Sequence, residues 1–217
     1  MISYFRMLQT YFNKNMLEAG IDEAGRGPLF GRVYTASVII PPDDTFVKPF
    51  IKDSKKLSKK NRDIAYDFIK QHAIDYSVSY KDHDYIDKFN IYNATYNCMH
   101  NSLDKLIVEP DMILVDGSDF QIYTKDSEIV PHRCIVKGDN LYASIACASI
   151  LAKVSRDNYI EELCQKYPLL DEYYDLSNNK GYGTKKHLEG IKKYGITPWH
   201  RRSFGICKGR MINKKFY

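Results

Sequence analysis

The sequence of 217 residues predicts an α/β fold, with a mixed central β-sheet flanked by helices. An apolar segment from Leu17 ends in two adjacent acids, Asp22 and Glu23, and a glycine-rich loop joins it to a β-branched segment that begins at Val33. Two strands joined by such a loop form a hairpin. Strand-like and helical segments then alternate along the chain, as they do in α/β domains. A hairpin followed by alternating elements predicts a sheet with both antiparallel and parallel neighbours.

The loop of the hairpin excludes one common alternative, a dinucleotide-binding loop. That motif needs the spacing Gly-x-Gly-x-x-Gly and opens a helix. Here Gly25 and Gly27 are followed by Gly31, one residue too late, and the next segment is a strand that Pro41 closes. Glycine lets the backbone approach a ligand closely or adopt positive φ, and Arg26 adds a positive charge. The loop is therefore predicted to border a ligand site of another kind.

The later elements follow from periodicity and from helix-ending residues. Ser58 is a predicted helix N-cap, and Ala65, Phe68 and Ile69 form the buried face of that helix. Apolar and polar residues alternate over 74–80, with Tyr76, Val78 and Tyr80 on the apolar side, which predicts a half-buried strand. The pattern further predicts helices over 84–107, 142–164 and 185–194, and strands over 112–116 and 133–136.

Composition and charge limit the functional classes. No apolar run approaches the ~18 residues of a membrane span, and the N-terminus lacks a secretory cleavage site, so no membrane role is expected. Five cysteines without a Cys-x-x-Cys pair predict reduced thiols and a cytoplasmic protein. Residues 180–217 carry eleven Lys and Arg against one acid, a local charge of +10 in a chain of +5, and residues 48–62 form a second basic block. Two basic blocks favour a polyanionic partner.

Four acids stand at positions where α/β proteins gather their sites. Asp22 and Glu23 lie at the end of the first strand, and Asp116 lies at the end of the strand over 112–116, whose other residues are all apolar. Asp139 precedes the helix predicted over 142–164. Converging carboxylates cannot all stay ionised without a cation, and oxygen ligands suit Mg²⁺ or Mn²⁺. Two such ions can activate a water and stabilise a leaving oxygen in phosphoryl transfer. From the residues alone, capping roles for Asp116 and Asp139 remain an equal alternative.

Seven short motifs follow one another along the chain. They are Asp22-Glu-Ala-Gly-Arg-Gly, Asp53-Ser-Lys-Lys-Leu-Ser, Val115-Asp-Gly, Lys137-Gly-Asp, Ala148-Ser-Ile-Leu-Ala-Lys-Val-Ser-Arg-Asp, Gly181-Tyr-Gly-Thr and His200-Arg-Arg-Ser-Phe. With these motifs, in this order, the sequence resembles the type 2 ribonucleases H (ribonuclease HII) over most of residues 17–205. The resemblance implies a ribonuclease H-like fold with a small basic helical C-terminal extension. It also implies cleavage of the RNA strand of RNA–DNA hybrids and of single ribonucleotides embedded in duplex DNA.

The same resemblance implies roles for individual residues. Asp22, Glu23, Asp116 and Asp139 would bind the metal ions. Backbone groups of Gly25-Arg26-Gly27 would reach the 2′-hydroxyl, the group that separates RNA from DNA. Tyr182 would stack on the sugar after the scissile phosphate and sense a ribo-to-deoxyribo junction; from sequence alone, a turn aromatic that covers the core is the favoured alternative. The residues expected at substrate phosphates or on the same helix face are Lys55, Lys56, Lys153, Arg156 and Ser149.

Other interpretations complete the sequence prediction. Within the enzymes, a related metal nuclease for DNA junctions or transposition is the alternative, which the Gly-Arg-Gly loop disfavours. A catalytically silent nucleic-acid-binding module of the same fold is the alternative from another class. We expect an N-terminal extension over 1–16, a catalytic core over 17–170 and a basic C-terminal segment over 171–217, in a monomer. The tail Lys214-Lys-Phe-Tyr faintly resembles a sliding-clamp motif, but a frayed end is the prediction. His200 is at best a neighbour of a phosphate.

Overall fold

The protein is built on a five-stranded mixed sheet. Its structure is a computed structural model that describes residues 8–43, 46–52 and 54–216. The strands of the sheet are β1 (Glu18–Ala24), β2 (Val33–Ile39), β3 (Asp75–Lys81), β4 (Met112–Asp116) and, after a two-residue ribbon of β5 (Thr124–Lys125) and β6 (Glu128–Ile129), β7 (His132–Ile135). Their order is β3-β2-β1-β4-β7. The pairs β1–β2 and β2–β3 are antiparallel, and β1–β4 and β4–β7 are parallel. The predicted hairpin and mixed sheet are confirmed.

Helices cover both faces of the sheet. They are α1 (Lys59–His72), α2 (His83–Asp104), α3 (Ala143–Lys166), α4 (Leu169–Tyr174), α5 (Leu176–Asn179) and α6 (Lys185–Tyr194). As predicted, Ser58 caps α1, because its side chain accepts a hydrogen bond from the Asn61 N–H. One apolar cluster lies between the sheet and α1 with α3, and a second lies between the sheet and α2. The helices therefore sandwich the sheet, as expected for an α/β fold.

The long helix α3 lies unusually close to β1. A Cβ added to Gly20 would fall 2.2 Å from the carbonyl carbon of Ser144, so only glycine permits this approach. Further along both elements, the added Cβ of Gly25 would meet the Arg156 side chain at 2.2 Å. Contact at these two points aligns α3 along β1 and carries its middle turns past the carboxyl end of that strand.

The edge strand β3 is covered on both of its faces. The polar residues Ser77 and Ser79 are buried, whereas Tyr80 is half exposed. Ser77 donates its hydroxyl hydrogen to the carbonyl of Ser102 on α2, and Ser37 and Ser102 share a hydrogen bond of 2.7 Å. The serine face is buried because α2 packs there. The hydroxyls of Ser37, Ser77 and Ser102 are hydrogen-bonded, whereas Ser79 Oγ has no hydrogen-bond partner among the described residues. Strand β3 is half-buried on its apolar side as predicted, since Tyr76 and Val78 pack against the apolar cluster next to α1 and α3, and its serine face is buried as well.

The C-terminal segment packs against the end of α3 and is not frayed. Phe216 is 8% exposed and packs against Tyr174 and Trp199, in an apolar cluster that also contains Ile160 of α3. Ile196 and Ile212 form a β-bridge that ties the tail back to the chain. The expectation of a frayed end was therefore wrong up to residue 216, while Tyr217 and residues 1–7 lie outside the described residues.

Two further sequence expectations concern cysteines and membranes. All five cysteines are free thiols, as the absence of paired spacing predicted. Among the helices of the described residues, none combines the length and the apolar character that crossing a membrane requires.

Candidate active site

The carboxyl ends of two neighbouring parallel strands bring Asp22 and Asp116 together. In the β1–β4 pair, Ile21 lies opposite Val115, so the next residue of each strand is an acid at the same edge of the sheet. Ile21 and Val115 both belong to the apolar cluster on the α2 side. Because side chains alternate along a strand, Asp22 and Asp116 turn toward α3. This is the edge at which α/β sheets commonly bind ligands.

Asp22 is almost fully buried and is surrounded by groups that oppose its ionisation. Burial raises the pKa of its carboxyl group well above the usual range, and the charges of Glu23 and Asp116 raise that pKa further. A hydrogen bond from Ser149 on α3 and the Glu23 N–H, 2.7 Å from Asp22 Oδ1, act in the opposite direction. Ser149 in turn lies 3.0 Å from the hydroxyl of Ser54. The predicted substrate residue Ser149 therefore contacts the acid itself.

Glu23 belongs to the same cluster although it follows Asp22 directly in sequence. Burial raises the pKa of its carboxyl group, Arg26 lowers it, and Asp116 raises it, while Lys55 lowers it. The Arg26 guanidinium lies 3.5 Å from Glu23 Oε1 and is stacked over the ring of Tyr92 at 5.1 Å. Arg26 thus folds back over the acids, and Lys55 is close enough for its charge to act on Glu23. Two cations partly balance the acid cluster on this side.

Asp116 and Asp139 are linked through the backbone of residue 138. The Gly138 N–H donates to Asp116 Oδ1 at 2.7 Å. Gly138 opens a short 3-10 helix (Gly138–Asn140) that contains Asp139, and the Asn140 amide donates to Asp139 Oδ1 at 2.8 Å. A Cβ on Gly138 would fall 2.6 Å from the terminal Cδ1 of Ile145 and would displace the end of that side chain. Asp139 is buried beside the edge that holds Asp116.

The chemistry of these donors suits a hard cation, but the donors are not closed around one. Carboxylate oxygens are the ligands that Mg²⁺ and Mn²⁺ prefer, and mutual repulsion of Asp22, Glu23 and Asp116 is what a cation would relieve. Within residues 8–43, 46–52 and 54–216, however, no group of three or more acidic, histidine or cysteine side chains has the spacing of a metal site. The residues therefore fit a divalent ion in donor type.

A buried arginine from the far end of the chain holds the glycine loop. Arg201 is fully buried, and its guanidinium donates to the carbonyl oxygens of Gly25 (2.6 Å), Arg26 (2.9 Å), Pro28 (2.9 Å) and Gly31 (2.9 Å). Burial, with the nearby charge of another arginine, lowers the pKa of Arg201 to about 9, so the group stays charged at neutral pH. Sequence reasoning placed this residue in a motif but gave it no role.

The second buried arginine, Arg156, packs against the other side of the loop. Its guanidinium donates to the carbonyls of Phe30 (3.2 Å) and Arg32 (3.1 Å), and only 1% of the residue is exposed. Gly25 has φ of +96°, and an added Cβ there would fall 2.2 Å from Arg156 Nε. Arg156 was predicted at a substrate phosphate; in this structure its guanidinium faces the loop carbonyls instead.

The amides of the glycine loop differ from its carbonyls, which the two arginines bind. Of the described hydrogen bonds, none uses the N–H of Gly25, Arg26 or Gly27. By contrast, the N–H of Leu29 donates to Gly181 O at 2.8 Å, which joins the loop to a second one. Successive unpaired amides form a concave site of positive potential suited to an electron-rich group. The loop thus presents donors beside the acid cluster.

Tyr182 borders this loop. The residue is 47% exposed, its ring would lie 3.7 Å from a Cβ on Gly27, and the Arg156 guanidinium lies 5.9 Å from the ring centre. An aromatic that only covered the core would be enclosed, and this ring is not. The structure therefore places Tyr182 at the exposed side of the glycine loop, next to Gly27.

The lysines predicted to contact substrate phosphates differ in their exposure and in their ion-pair partners. Lys153 on α3 pairs with Asp157 at 2.8 Å, and burial lowers the pKa of its ammonium group. Lys55 lies in a 3-10 helix (Ser54–Lys56) and is exposed beside Glu23. The side chain of Lys56 and the whole of Asp53, part of one motif, lie outside the described residues. His200, described from the sequence as at best a neighbour of a phosphate, is fully buried and so is not available to one at the surface.

Comparison with known proteins identifies close relatives. The family model described as ribonuclease HII matches residues 19–207. The ribonuclease HII of Bacteroides thetaiotaomicron is 42% identical over 210 residues, which cover 97% of this chain and 100% of the relative. The ribonuclease H2 of Pyrococcus horikoshii OT3 superposes with a TM-score of 0.71 at 26% identity, covering 88% of this chain and 95% of the other. Bst-RNase HIII in complex with Mn²⁺ (TM-score 0.67, 17% identity, 94% and 70% coverage) shares the fold.

Proposed function

The chain belongs to the ribonuclease HII family, and from this premise we propose that it is a metal-dependent endonuclease acting on RNA within duplexes. It would hydrolyse the RNA strand of RNA–DNA hybrids and cut 5′ of ribonucleotides embedded in duplex DNA, leaving 3′-hydroxyl and 5′-phosphate ends. Family membership already makes the protein an enzyme of the ribonuclease H type. One observation supports the substrate proposal most directly: unpaired amides of the glycine loop lie beside the acid cluster.

Asp22, Glu23, Asp116 and Asp139 are the residues that would hold Mg²⁺ or Mn²⁺, in one or two sites. When bound, such ions generate a nucleophilic hydroxide and stabilise the leaving oxygen in a phosphoryl displacement. Burial and mutual repulsion raise the pKa values of Asp22 and Glu23, so a cation would favour their ionised forms and its binding would release protons. Ser149, through its bond to Asp22, would orient that carboxylate.

The glycine loop would recognise the ribonucleotide. The N–H groups of Gly25, Arg26 and Gly27 can donate to an oxygen, and the 2′-hydroxyl accepts as well as donates hydrogen bonds. A DNA strand offers no oxygen at this position, so loop amides left buried and unpaired against it would disfavour binding. Arg201 and Arg156 would act indirectly, by holding the loop carbonyls away from the substrate.

Tyr182 would stack on the sugar that follows the scissile phosphate and so read the junction between ribose and deoxyribose. Its half-exposed ring next to Gly27 supports this role over a purely structural one. Lys55, Lys56 and Lys153 are proposed to neutralise nearby phosphates, which positions a duplex without reading its sequence. The basic C-terminal segment would extend this surface.

We also propose a monomer acting in the cytoplasm during replication and repair, consistent with the free thiols. A sliding-clamp contact through the tail is not part of this proposal. Phe216, the apolar residue that such a contact would use, already packs against Tyr174 and Trp199. The tail therefore fits a structural role.

The test is cleavage of a DNA duplex that contains one ribonucleotide, with Mg²⁺, Mn²⁺ or chelator, alongside a long RNA–DNA hybrid. We expect metal-dependent incision 5′ of the ribonucleotide and its loss in Asp116→Asn. Cleavage of the long hybrid alone would overturn the junction role of Tyr182 and keep the metal site. Tight binding of either duplex without cleavage in any metal would instead identify a catalytically silent nucleic-acid-binding module.

A further inference from the structure

Two buried histidines lie directly behind Tyr182. His187 of α6 and His200 of the C-terminal segment are both fully buried, and their Nε2 atoms are 3.0 Å apart. The other ring nitrogen of His187 lies 2.9 Å from the carbonyl oxygen of Tyr182. The other ring nitrogen of His200 lies 2.9 Å from the backbone N–H of Thr197. A continuous chain of hydrogen bonds therefore runs from Thr197 through both rings to Tyr182.

The ends of this chain fix where its protons lie. A backbone N–H can only donate, so Nδ1 of His200 accepts from Thr197 and carries no hydrogen. A neutral His200 then carries its hydrogen on Nε2 and donates to Nε2 of His187. His187 must carry its own hydrogen on Nδ1, which donates to the carbonyl of Tyr182. Both rings are neutral, and each has one defined tautomer.

The carbonyl that receives this hydrogen bond belongs to the residue we propose to meet the substrate. Tyr182 O also accepts from the Thr184 N–H at 2.8 Å, and the Tyr182 N–H donates to Asn179 O at 3.0 Å. His187 is the only side chain, among the described residues, that bonds the backbone of Tyr182. Its ring therefore sets the orientation of the peptide from which the exposed tyrosine ring projects.

The histidine pair is also joined to the glycine loop. His200 precedes Arg201, which binds the loop carbonyls, and forms a β-bridge with Phe30 within the loop. The ring of Phe30 meets the ring of His200 edge-on at 5.1 Å. One short segment thus fixes the loop through Arg201 and fixes Tyr182 through His200 and His187. Displacement of the glycine loop or of Tyr182 would alter the distance between Gly27 and Tyr182.

We propose that His187, with its tautomer set by His200, is a positioning residue that holds Tyr182 beside the glycine loop for recognition of the ribo-to-deoxyribo junction. The proposal rests on the proposed function of Tyr182. It makes one discriminating claim: the Nδ1 hydrogen of His187 matters because it orients Tyr182, and its loss should reduce junction incision more than cleavage of a long hybrid.

The test uses two substitutions that each keep half of the imidazole. His187→Asn places an amide nitrogen near the position of Nδ1 and keeps the donor to Tyr182. His187→Gln places its amide near Nε2 and loses that donor. We measure kcat/KM for the single-ribonucleotide duplex and for the long hybrid, and compare their ratio. His187→Gln should lower the ratio by roughly tenfold, since small misplacement of a positioning group can cost up to about 100-fold, while His187→Asn should restore most of it.

A matched control and a spectrum separate the outcomes. His72→Gln makes the same change at an exposed histidine of α1 whose Nδ1 also meets a backbone carbonyl, that of Phe68 at 2.9 Å, and it should leave the ratio unchanged. In ¹⁵N spectra of the wild-type protein, His187 should show a hydrogen on Nδ1 and His200 on Nε2. The opposite tautomers, or equal ratios in both His187 variants, would overturn the proposal.

Failure of the junction role of Tyr182 gives a different result from failure of the positioning role of His187. Tyr182→Ala tests the junction role itself, and a ratio unchanged by Tyr182→Ala would overturn that role. If Tyr182→Ala lowers the ratio and His187→Gln does not, the junction role stands and the positioning proposal fails. A substitution that merely destabilises the fold would lower both cleavage rates together and leave the ratio unchanged.

Discussion

Arg201 Nη2 lies 2.6 Å from the carbonyl oxygen of Gly25, a residue 176 positions earlier in the chain. The glycine loop beside the acid cluster is therefore shaped by the C-terminal segment, not by its own sequence alone. Together with Arg156, Arg201 binds the loop carbonyls, while none of the described hydrogen bonds uses the N–H groups of residues 25–27. The donors that we propose to read the 2′-hydroxyl depend on two buried cations that never reach the substrate.

Arg201→Gln should cost both stability and activity. Glutamine can satisfy at most one or two of the four carbonyls that the guanidinium bonds, and buried polar groups without partners cost about 1–3 kcal/mol each. We expect the free energy of unfolding to fall by about 3 kcal/mol and kcat/KM to fall by about a hundredfold as the loop loosens. Urea unfolding and cleavage of a long hybrid measure the two effects.

The neighbouring residue supplies the control for that substitution. Arg202 is exposed, and its backbone N–H, not its side chain, bonds Asp87 at 2.8 Å. Arg202→Gln removes one positive charge at nearly the same place and should change stability by less than about 0.5 kcal/mol. Equal losses of activity in Arg201→Gln and Arg202→Gln would mean that charge alone matters, and would contradict the positioning role.

The sequence predicted the features that neighbouring residues determine, and it missed contacts between residues that are far apart in the chain. The hairpin, the N-cap of α1 and the acids at strand ends follow from residue order, because periodicity and turn chemistry act over a few residues. The contact of Arg201 with Gly25 joins residues far apart, and no local pattern encodes it. A signal was present: Arg201 lies in a motif that carried no assigned chemistry.

The buried face of β3 shows a second limit. Alternation correctly indicated a strand with Tyr76 and Val78 on a partly buried side, but it did not indicate that the face of Ser77 and Ser79 is buried as well. Small hydroxyl side chains let α2 pack closely there, and Ser77 bonds a carbonyl of that helix. Helix α2 itself departs from one regular helix, because Asn90 has φ of 65° within it. Such choices depend on the partner surface, which a single strand pattern does not contain.

Gly25→Ala should disrupt the loop through a clash as well as through strain. The new Cβ would lie 2.2 Å from Arg156 Nε and 2.9 Å from the carbonyl oxygen of Arg32, at φ of +96°. Left-handed backbone costs about 1–2 kcal/mol for a residue with Cβ, and overpacking adds about 1–3 kcal/mol. We expect about 3 kcal/mol of destabilisation in thermal or urea unfolding and activity below about 1% of wild type.

Gly209→Ala separates the two causes. Gly209 also has positive φ, at +69°, but nothing lies within 4 Å of an added Cβ. The strain is therefore present and the clash is absent, so we expect a loss of about 1 kcal/mol with activity retained. If Gly25→Ala were no worse than Gly209→Ala, the packing of Arg156 against the loop would not constrain residue 25.

Asp116→Asn should separate activity from stability. Its charge raises the pKa values of Asp22 and Glu23, so removing that charge relieves repulsion in the metal-free protein. The Asn oxygen can still accept from the Gly138 N–H, which bonds Asp116 at 2.7 Å. In chelator we expect a free energy of unfolding equal to or up to about 1 kcal/mol above wild type, with cleavage in Mg²⁺ or Mn²⁺ at least about a hundredfold slower.

Stabilisation by metal gives the same substitution a second readout. A ligand that binds only the folded protein raises its melting temperature, so Mn²⁺ should stabilise the wild type and stabilise Asp116→Asn much less. Asp126→Asn, in the exposed turn between β5 and β6, is the control and should behave as wild type in both assays. Equal metal stabilisation of all three proteins would remove Asp116 from the proposed metal site.

The buried histidines should make the protein lose stability on acidification. Burial lowers the pKa of His200 well below its usual range, with the charges of His187 and His83 acting in the same direction, and burial also lowers the pKa of His187. The uncharged ring of Tyr174 packs against both. Because the unfolded chain binds protons near pH 6.5 and the folded rings do not, their stabilising contribution is complete above about pH 6.5 and declines as pH falls.

A variant isolates this contribution from that of the acids. The raised pKa values of Asp22 and Glu23 have the opposite sign, since protonation of those groups on acidification favours the folded state, but they act equally in wild type and variant. His200→Gln keeps an amide near Nε2 and removes one titrating group. Between pH 6.5 and 5, we expect its free energy of unfolding to fall less steeply, by up to about 1.4 kcal/mol per pH unit. Urea unfolding at each pH measures the two slopes. Identical slopes would show that His200 is protonated as readily in the folded protein as in the unfolded chain. That outcome would contradict the hydrogen bond in which Nδ1 of His200 accepts from the Thr197 N–H.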